Sequence, residues 1–408
     1  MKKMIALILA AVLCTGLIPA CAEVSGKNSE DYESLCGLAA QYGFRLGGCF
    51  SFNQRADKTY MDFMARHFNF ITCTNETKAY SLLDQRKSKA AEDGMPRMDF
   101  RNADRMIEWA QKNGVAVRGH VLVWDAYMTT WFFHEGYDNN KPFADQETMR
   151  ARLKSYIEQV ITHFETNYPG VIYCWDVVNE AIGDGNGEYR VSDERHIRTT
   201  RSGVSNLFLD HVGDDYVEYS FLCAKDTVNA LGADIKLFYN DYNMFSDGKL
   251  IPALKLIKSI NTYAQNEEGK NRKLIDGIGM QGYIGGYGTQ SGCLNEKDID
   301  LIERAIRLYA KAGMQVHITE MAVRNYEQDK ATEHAAFYAK LFRMFMSINT
   351  EESAPLTAVC IWGINDIPVR NAGNEYSWKL NSPFGGLLTE RNQIKTSFDS
   401  IYRTLKGE

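Results

Sequence analysis

The stretch MRARLKSYIEQVITHFETNYPGVIYCWDVVNEA, residues 149–181, holds two hydrophobic periods back to back. Its first half places Met149, Leu153, Tyr156, Ile157, Val160, Ile161 and Phe164 at steps of one, three and four residues, the spacing of one apolar helical face. After Tyr168-Pro169-Gly170 the period is lost, and Ile172–Ala181 runs almost continuously apolar until it closes on Asn179-Glu180. A strand that is apolar on both sides suits a parallel sheet covered on both faces, not a half-exposed antiparallel one.

The same alternation extends outward along the chain. Strand-like runs recur at Phe44–Phe50, Phe68–Asn75, Val115–Trp124, Ile172–Ala181, Ile235–Tyr242, Asp276–Tyr283, Gln315–Met321 and Ala358–Ile364. Helical patterns fall between them. One covers Phe100–Ala110, opened by Asp99 as a cap and closed near Gly114; another covers Val217–Leu231 and ends at Gly232. Others lie near 57–67, 248–265, 297–312, 331–348 and 391–406. Strands alternating with helices, with no low-complexity linker and no internal repeat, predict one α/β domain over residues 23–408, a (β/α)8 TIM barrel. The alternative, a doubly wound open sheet, lacks a Gly-x-Gly-x-x-Gly after its first strand.

With 45% hydrophobic and 12% aromatic residues against 24% charged, the 408-residue chain can bury a large core, which excludes intrinsic disorder. A formal charge of −6 offers no net positive field for phosphate, so neither nucleic acid nor an anionic membrane surface is expected as a partner. Lys2 and Lys3, the apolar run Ile5–Leu13 and the small-residue site Ala20-Cys21-Ala22 predict a signal peptide over residues 1–22, hence a secreted or cell-surface protein. Ile18-Pro19-Ala20-Cys21 is an imperfect lipoprotein site, and an acylated Cys21 is the one membrane link considered. Cys73, Cys174 and Cys360 sit inside apolar runs and read as inert buried thiols, leaving Cys36 and Cys49 as the pair considered for a disulfide.

In such a barrel the active site gathers at the C-terminal ends of the strands. The sequence places there Asn75 and Lys78 after the second run, His120 and Trp124 on the third, and Asn179-Glu180 closing the fourth. Asn240-Asp241-Tyr242-Asn243 follows the fifth, Gln281 and Tyr283 lie on the sixth, Glu320 closes the seventh and Trp362 lies on the eighth, with Trp378 in the loop beyond. Taken singly, a tryptophan or histidine on an apolar strand reads as core. Two carboxylates at the ends of apolar strands do not, because an ionised carboxylate there needs a partner or a task. No His/Cys/Asp/Glu group has metal-ligand spacing and no serine sits in a Gly-x-Ser-x-Gly elbow, so neither a metal or other cofactor nor serine hydrolysis is expected.

Trp175–Ala181 and His317-Ile318-Thr319-Glu320 resemble the acid/base and nucleophile signatures of glycoside hydrolase family 10, the retaining endo-β-1,4-xylanases. Arg118–Trp124, Asn75 with Lys78, Asn240–Asn243, Trp362-Gly363 and Ser377-Trp378 match in the family's order, from about residue 40 to the C-terminus. The resemblance implies endo-acting hydrolysis of xylan, with Glu180 as acid/base and Glu320 as nucleophile. It further implies that Asn179 bonds the sugar 2-hydroxyl, that Asn75, Lys78, His120 and Gln281 bond other hydroxyls, and that Trp124, Trp362, Trp378 and Tyr242 stack on pyranose rings. A β-1,4-glucanase or mannanase on the same barrel, or a glycan-binding protein on a decayed one, are the alternatives that two carboxylates alone leave open.

Three positions depart from the family pattern. Thr74 stands where the family has glutamate, Tyr283 where it has a histidine near the nucleophile, and Ala322 where an aspartate holds that histidine. The stretches 183–212, 284–295 and 363–377 are long for connections at an active-site rim, where length usually shapes specificity.

Overall fold

The computed structural model describes residues 23–185, 187–269, 271–285, 294–351, 353–367 and 382–408. The expected leader at 1–22 and Trp378 lie outside them, as do most of 284–295 and the later part of 363–377. Eight strands form the barrel: β1 (Arg45–Phe50), β2 (Phe70–Cys73), β3 (Ala116–Gly119), β4 (Ile172–Asn179), β5 (Lys236–Asp241), β6 (Gly277–Met280), β7 (Gln315–Val323) and β8 (Leu356–Ile361). Each pairs in parallel with the next, and β8 returns to β1 with Gly47 opposite Cys360, which closes the sheet and removes its edges. Each apolar run contributes a strand because both faces of the closed sheet are covered.

Helices α1 (Lys58–His67), α2 (Arg101–Lys112), α3 (Gln146–Asn167), α4 (Tyr216–Leu231), α5 (Asp247–Glu268), α6 (Lys297–Lys311), α7 (Ala331–Glu351) and α8 (Thr396–Lys406) follow the strands in turn and pack outside them. Local chemistry sets their ends. The Asp57 and Asp145 carboxylates accept the N–H groups of Tyr60 at 3.1 Å and Thr148 at 2.7 Å, satisfying first-turn donors. Gly232 ends α4 at φ 64°, a left-handed cap that costs a glycine little. α3 buries Met149, Leu153, Tyr156, Ile157, Val160, Ile161 and Phe164, the face its spacing marks; each is worth about 1.5–3 kcal/mol in transfer terms. The same face also buries Arg152, whose guanidinium donates to the carbonyls of Phe132 and His134 at 2.8 and 2.9 Å.

Inside the barrel, Phe70 packs with Ala358 and Cys360, and a Cβ on Gly47 would stand 2.5 Å from the Phe70 ring. Glycine is required there for that ring to fit. One layer on, Arg118 forms a bidentate pair with Asp176, and its Nε donates to His317 Nδ1 at 3.3 Å. Burial and the neighbouring guanidinium hold His317 neutral, well below the usual imidazole range, so its Nδ1 is free to accept. His120 Nδ1 meets Asp176 Oδ2, an oxygen it shares with Arg118 Nη1, at 2.8 Å. A buried ion pair of this kind contributes little net stability when intact but costs about 3–5 kcal/mol when one partner is removed.

Three expectations need correction. Cys36 and Cys49 are both free thiols; the Cys36 Sγ instead lies 3.0 Å from Ser34 Oγ. Asp99 is not the capping residue of α2: the cap falls one residue on, at Phe100, and Asp99, just outside it, accepts the Arg101 N–H at 3.1 Å. β3 ends at Gly119 instead of Trp124, yet the chain stays alongside β4, with Leu122 and Val123 donating to the carbonyls of Asp176 and Val177.

Candidate active site

β4 stops at Asn179, and Glu180 follows with φ 53°, in the left-handed region that non-glycine residues seldom occupy. The conformation is held by a backbone bond from the Glu180 N–H to the Asn240 carbonyl at 2.9 Å. Such strain, secured by surrounding bonds, is typical of a residue whose side-chain direction matters. The Glu180 carboxyl is buried, 8% exposed, and accepts from Gln281 Nε2 at 3.0 Å on Oε1 and from Arg201 Nη1 at 2.9 Å on Oε2.

Glu320, on β7, is buried to a similar depth but held differently. Asn240 Nδ2 donates to Oε1 at 3.0 Å and the Tyr283 phenol to Oε2 at 2.5 Å, both of them neutral donors. Asn240 is itself oriented by Thr319, whose hydroxyl donates to Oδ1 at 2.6 Å, and its Nδ2 also reaches Asn179 Oδ1 at 2.9 Å. A chain of contacts therefore joins the two carboxylates through Gln281, Asn179 and Asn240. Asn179 is used here only as an acceptor; its Nδ2 is buried without a hydrogen-bond partner among the described residues. An unpaired buried donor between two carboxylates is a standing cost that an incoming acceptor would remove.

Burial dominates the electrostatics. It pushes the Glu180 carboxyl up to about 7, with Arg201 and the Gln281 bond pulling the other way and Asp241 and Glu320 adding to the rise. Lys78 is shifted down by its own burial, against the attraction of Glu320, Glu180 and Glu76. Its ammonium donates to Asn75 Oδ1 at 3.1 Å and lies 5.0 Å from the Trp124 ring and 4.4 Å from that of Tyr127. Beside the departure at Thr74, Glu76 accepts the N–H groups of Phe52 at 2.7 Å and Asn75 at 3.1 Å, so it braces the loop that carries Asn75.

The remaining expected residues among those the structure describes surround the same mouth. His120 stands edge-on to Trp124 and Trp362, with Nδ1 committed to Asp176, which leaves Nε2 as the ring's other polar atom. Trp362 is fixed at the end of β8 by a bond from its backbone N–H to the Met321 carbonyl. The Tyr242 phenol donates to Asp184 and accepts from Arg198 at 2.9 Å, while Lys249 lies 4.1 Å from its ring centre. Tyr283 and Ile284 form a short extra strand beside the end of β7, which sets Tyr283 directly opposite Ala322.

Sequence reasoning missed the cations that serve these groups. Arg201 bridges Glu180 to Asp125, with two bonds to the Asp125 carboxylate at 3.0 and 2.9 Å. Arg198, fully buried, ties Glu188, Asp184 and Tyr242 together and donates to the carbonyls of Glu180 and Ile182. Both come from the long stretch after β4, which folds back as a two-stranded hairpin, Thr200–Arg201 against Val204–Ser205. Its length was the only sequence signal, and length names no residue.

Residues 34–400 match the family model described as glycosyl hydrolase family 10. Among curated relatives, a Caldicellulosiruptor saccharolyticus protein that carries an endo-1,4-beta-xylanase name is 36% identical over 74% of this chain and 92% of its own length. Endo-1,4-beta-xylanase B of Butyrivibrio fibrisolvens is 31% identical over 79% of this chain, and endo-1,4-beta-xylanase A of Thermotoga neapolitana 33% over 92%. The alignments cover only 46% and 30% of those two longer proteins. Among solved structures, the Clostridium thermocellum N-terminal endo-1,4-beta-D-xylanase modules complexed with xylohexaose superpose with a TM-score of 0.75 at 28% identity, over 91% of this chain and 67% of that one.

Proposed function

The chain belongs to glycosyl hydrolase family 10, and from that premise we propose that it hydrolyses internal β-1,4-xylosidic bonds of xylan with retention of configuration. Glu180 is the acid/base and Glu320 the nucleophile. The observation that carries this reading is the unequal footing of two buried carboxyls at one barrel mouth. One, buried beside Gln281 and Arg201, is raised to about 7 and so keeps a proton to give; the other has each of its oxygens held by one neutral donor, Asn240 on Oε1 and Tyr283 on Oε2.

In the first half-reaction a Glu320 oxygen attacks the anomeric carbon while Glu180 protonates the departing glycosidic oxygen. The glycosidic bond breaks, an acyl-linked glycosyl ester forms, and Glu180 is left ionised. In the second, Glu180 takes a proton from water as that water attacks the same carbon. The ester breaks, Glu320 is released as carboxylate and Glu180 is protonated again. Asn179 Nδ2 supplies the donor for the sugar 2-hydroxyl, a bond that strengthens as the ring flattens toward an oxocarbenium-like state. Asn75, Lys78, His120 Nε2 and Gln281 bind other hydroxyls, and Trp124 and Trp362 stack on rings, with Tyr242 on the leaving-group side.

Reducing-sugar release from xylan, cellulose and mannan under identical conditions tests the substrate class. Release confined largely to xylan is the expected result; comparable release from cellulose or mannan overturns it. The leader-like residues Lys2 to Ala22 support export to the cell exterior, with Cys21 as the site of an acyl anchor if the lipoprotein peptidase cuts there. Mass analysis of the mature N-terminus decides between cleavage after Ala22 and an acylated Cys21.

A further inference from the structure

An acid catalyst is an unusual place to find an arginine, since a guanidinium favours the ionised carboxylate and so works against the proton that must be donated. Yet Arg201 Nη1 sits 2.9 Å from Glu180 Oε2 and its Nη2 donates to the Glu180 carbonyl at 3.1 Å. The same guanidinium is shared with Asp125, which takes Nε at 3.0 Å and Nη2 at 2.9 Å. Arg201 is three-quarters covered and Asp125 more so, so the contacts are little screened by water. The two residues come from separate loops: Asp125 follows β3, and Arg201 lies on the hairpin after β4.

We infer that Arg201 is a positioning residue that sets the proton affinity of Glu180, and that Asp125 sets how much of the Arg201 charge Glu180 feels. The inference rests on the reading of Glu180 as acid/base. Arg201 favours the base form needed in the second half-reaction, and Asp125, by neutralising part of that charge, keeps the acid form available for the first. The hairpin thereby divides the balance between two half-reactions that make opposite demands on one carboxyl.

Other charged and titratable groups face Glu180 as well. Asp241 at the end of β5 and Glu320 on β7 oppose its ionisation, and Lys78 after β2 favours it. Tyr127 after β3 lies within electrostatic reach, Gln281 after β6 donates a neutral bond, and Arg198 touches only the Glu180 backbone carbonyl. Among these, Arg201 makes the one cationic contact with the Glu180 carboxylate oxygens seen among the described residues. Because the partner charges are separable by mutation, the inference makes two predictions of opposite sign.

The experiment is the pH dependence of kcat/KM on a xylo-oligosaccharide with a natural leaving group, whose alkaline limb reports ionisation of the acid in the free enzyme. Arg201→Met should move that limb up by about one pH unit or more, as expected for loss of an adjacent opposite charge. Asp125→Asn should move it down, because Arg201 then acts on Glu180 unopposed, and Arg201→Lys should restore most of the wild-type position. If Arg201→Met does not fold, Asp125→Asn and Arg201→Lys still decide. A limb that stays in place in both Arg201→Met and Asp125→Asn, or that moves the same way in both, overturns the inference. Glu180→Gln separates this from failure of the underlying reading. Loss of the limb in that variant with no movement in the others condemns the inference alone, and a limb that survives Glu180→Gln condemns the acid assignment itself.

Discussion

Tyr283 donates its phenolic proton to Glu320 Oε2 at 2.5 Å from a backbone position directly opposite Ala322 in a parallel two-residue pairing. The two departures from the family pattern near Glu320 are thus neighbours in space. A histidine here would need its other ring nitrogen held, which is the role of an aspartate at 322; a phenol needs no such partner, and a buried alanine suffices. Arg324 lies 5.6 Å from the Tyr283 ring centre, so the aromatic ring also has a cation on its flank.

Removing that one bond isolates its value. Tyr283→Phe is expected to lower kcat/KM on xylan by roughly 10- to 100-fold, the cost of one hydrogen bond to a charged group. Tyr283→His alone should also be poor, and adding Ala322→Asp should recover part of the loss, a coupling expected of contacting residues. An unchanged rate for Tyr283→Phe would reduce the phenol to a packing role, and strict additivity in the two-site cycle would refute the paired exchange.

Glu180 carries a prediction about leaving groups. Glu180→Ala should lose about 10²–10⁴-fold on xylan but far less in the first step on an aryl xyloside whose leaving group departs without a proton. Equal losses in single-turnover measurements on the two substrates would remove Glu180 from the acid role.

The same carboxyl links stability to pH, and the sign follows from its shift. Its folded value, raised to about 7 from 4.5, means that the folded state binds a proton more tightly than the unfolded chain. That contribution is complete below about pH 4.5 and is lost as pH rises through 7. Glu180→Gln, which cannot ionise, should therefore gain stability relative to wild type as pH is raised from 4 to 8, by on the order of 3 kcal/mol at most, seen as a widening gap in Tm. Thermal melts in which the gap between the two proteins is constant over that range contradict it.

Deep in the barrel, Asp176 receives both Arg118 and His120 and is fully buried. Asp176→Ala leaves a buried guanidinium without its counter-charge and should cost about 3–5 kcal/mol, measured by urea unfolding. A loss under 1 kcal/mol would mean that Arg118 finds another partner.

Much of this was legible in the sequence, for physical reasons that also mark the limit. The α3 face and the apolar run of β4 declare themselves because helical and strand periods are local, and Asn179, Glu180 and Glu320 stand out because charge and amide at the end of an apolar strand have no bland use. The Arg201–Asp125–Glu180 bridge joins residues up to 76 apart in the chain, and no local period encodes such a meeting. Arg152 was hidden for a related reason. It sits on an apolar helical face as if misplaced until the carbonyls of Phe132 and His134, at the end of a short 3-10 helix after β3, are seen to need a donor. Asp99 and the Cys36–Cys49 pair failed more simply, the first by one residue of register and the second because two free thiols carry no sequence mark that distinguishes them from a bridge.

As the proposed nucleophile, Glu320 should carry a covalent glycosyl ester during turnover. A 2-fluoro xylobioside with an activated leaving group slows breakdown of such an ester more than its formation, so the intermediate accumulates and the labelled peptide can be mapped by mass spectrometry. One equivalent of label on Glu320 is expected, together with a β-configured first product in an NMR time course of unmodified substrate. Label on any other residue, or an α-configured first product, would contradict it.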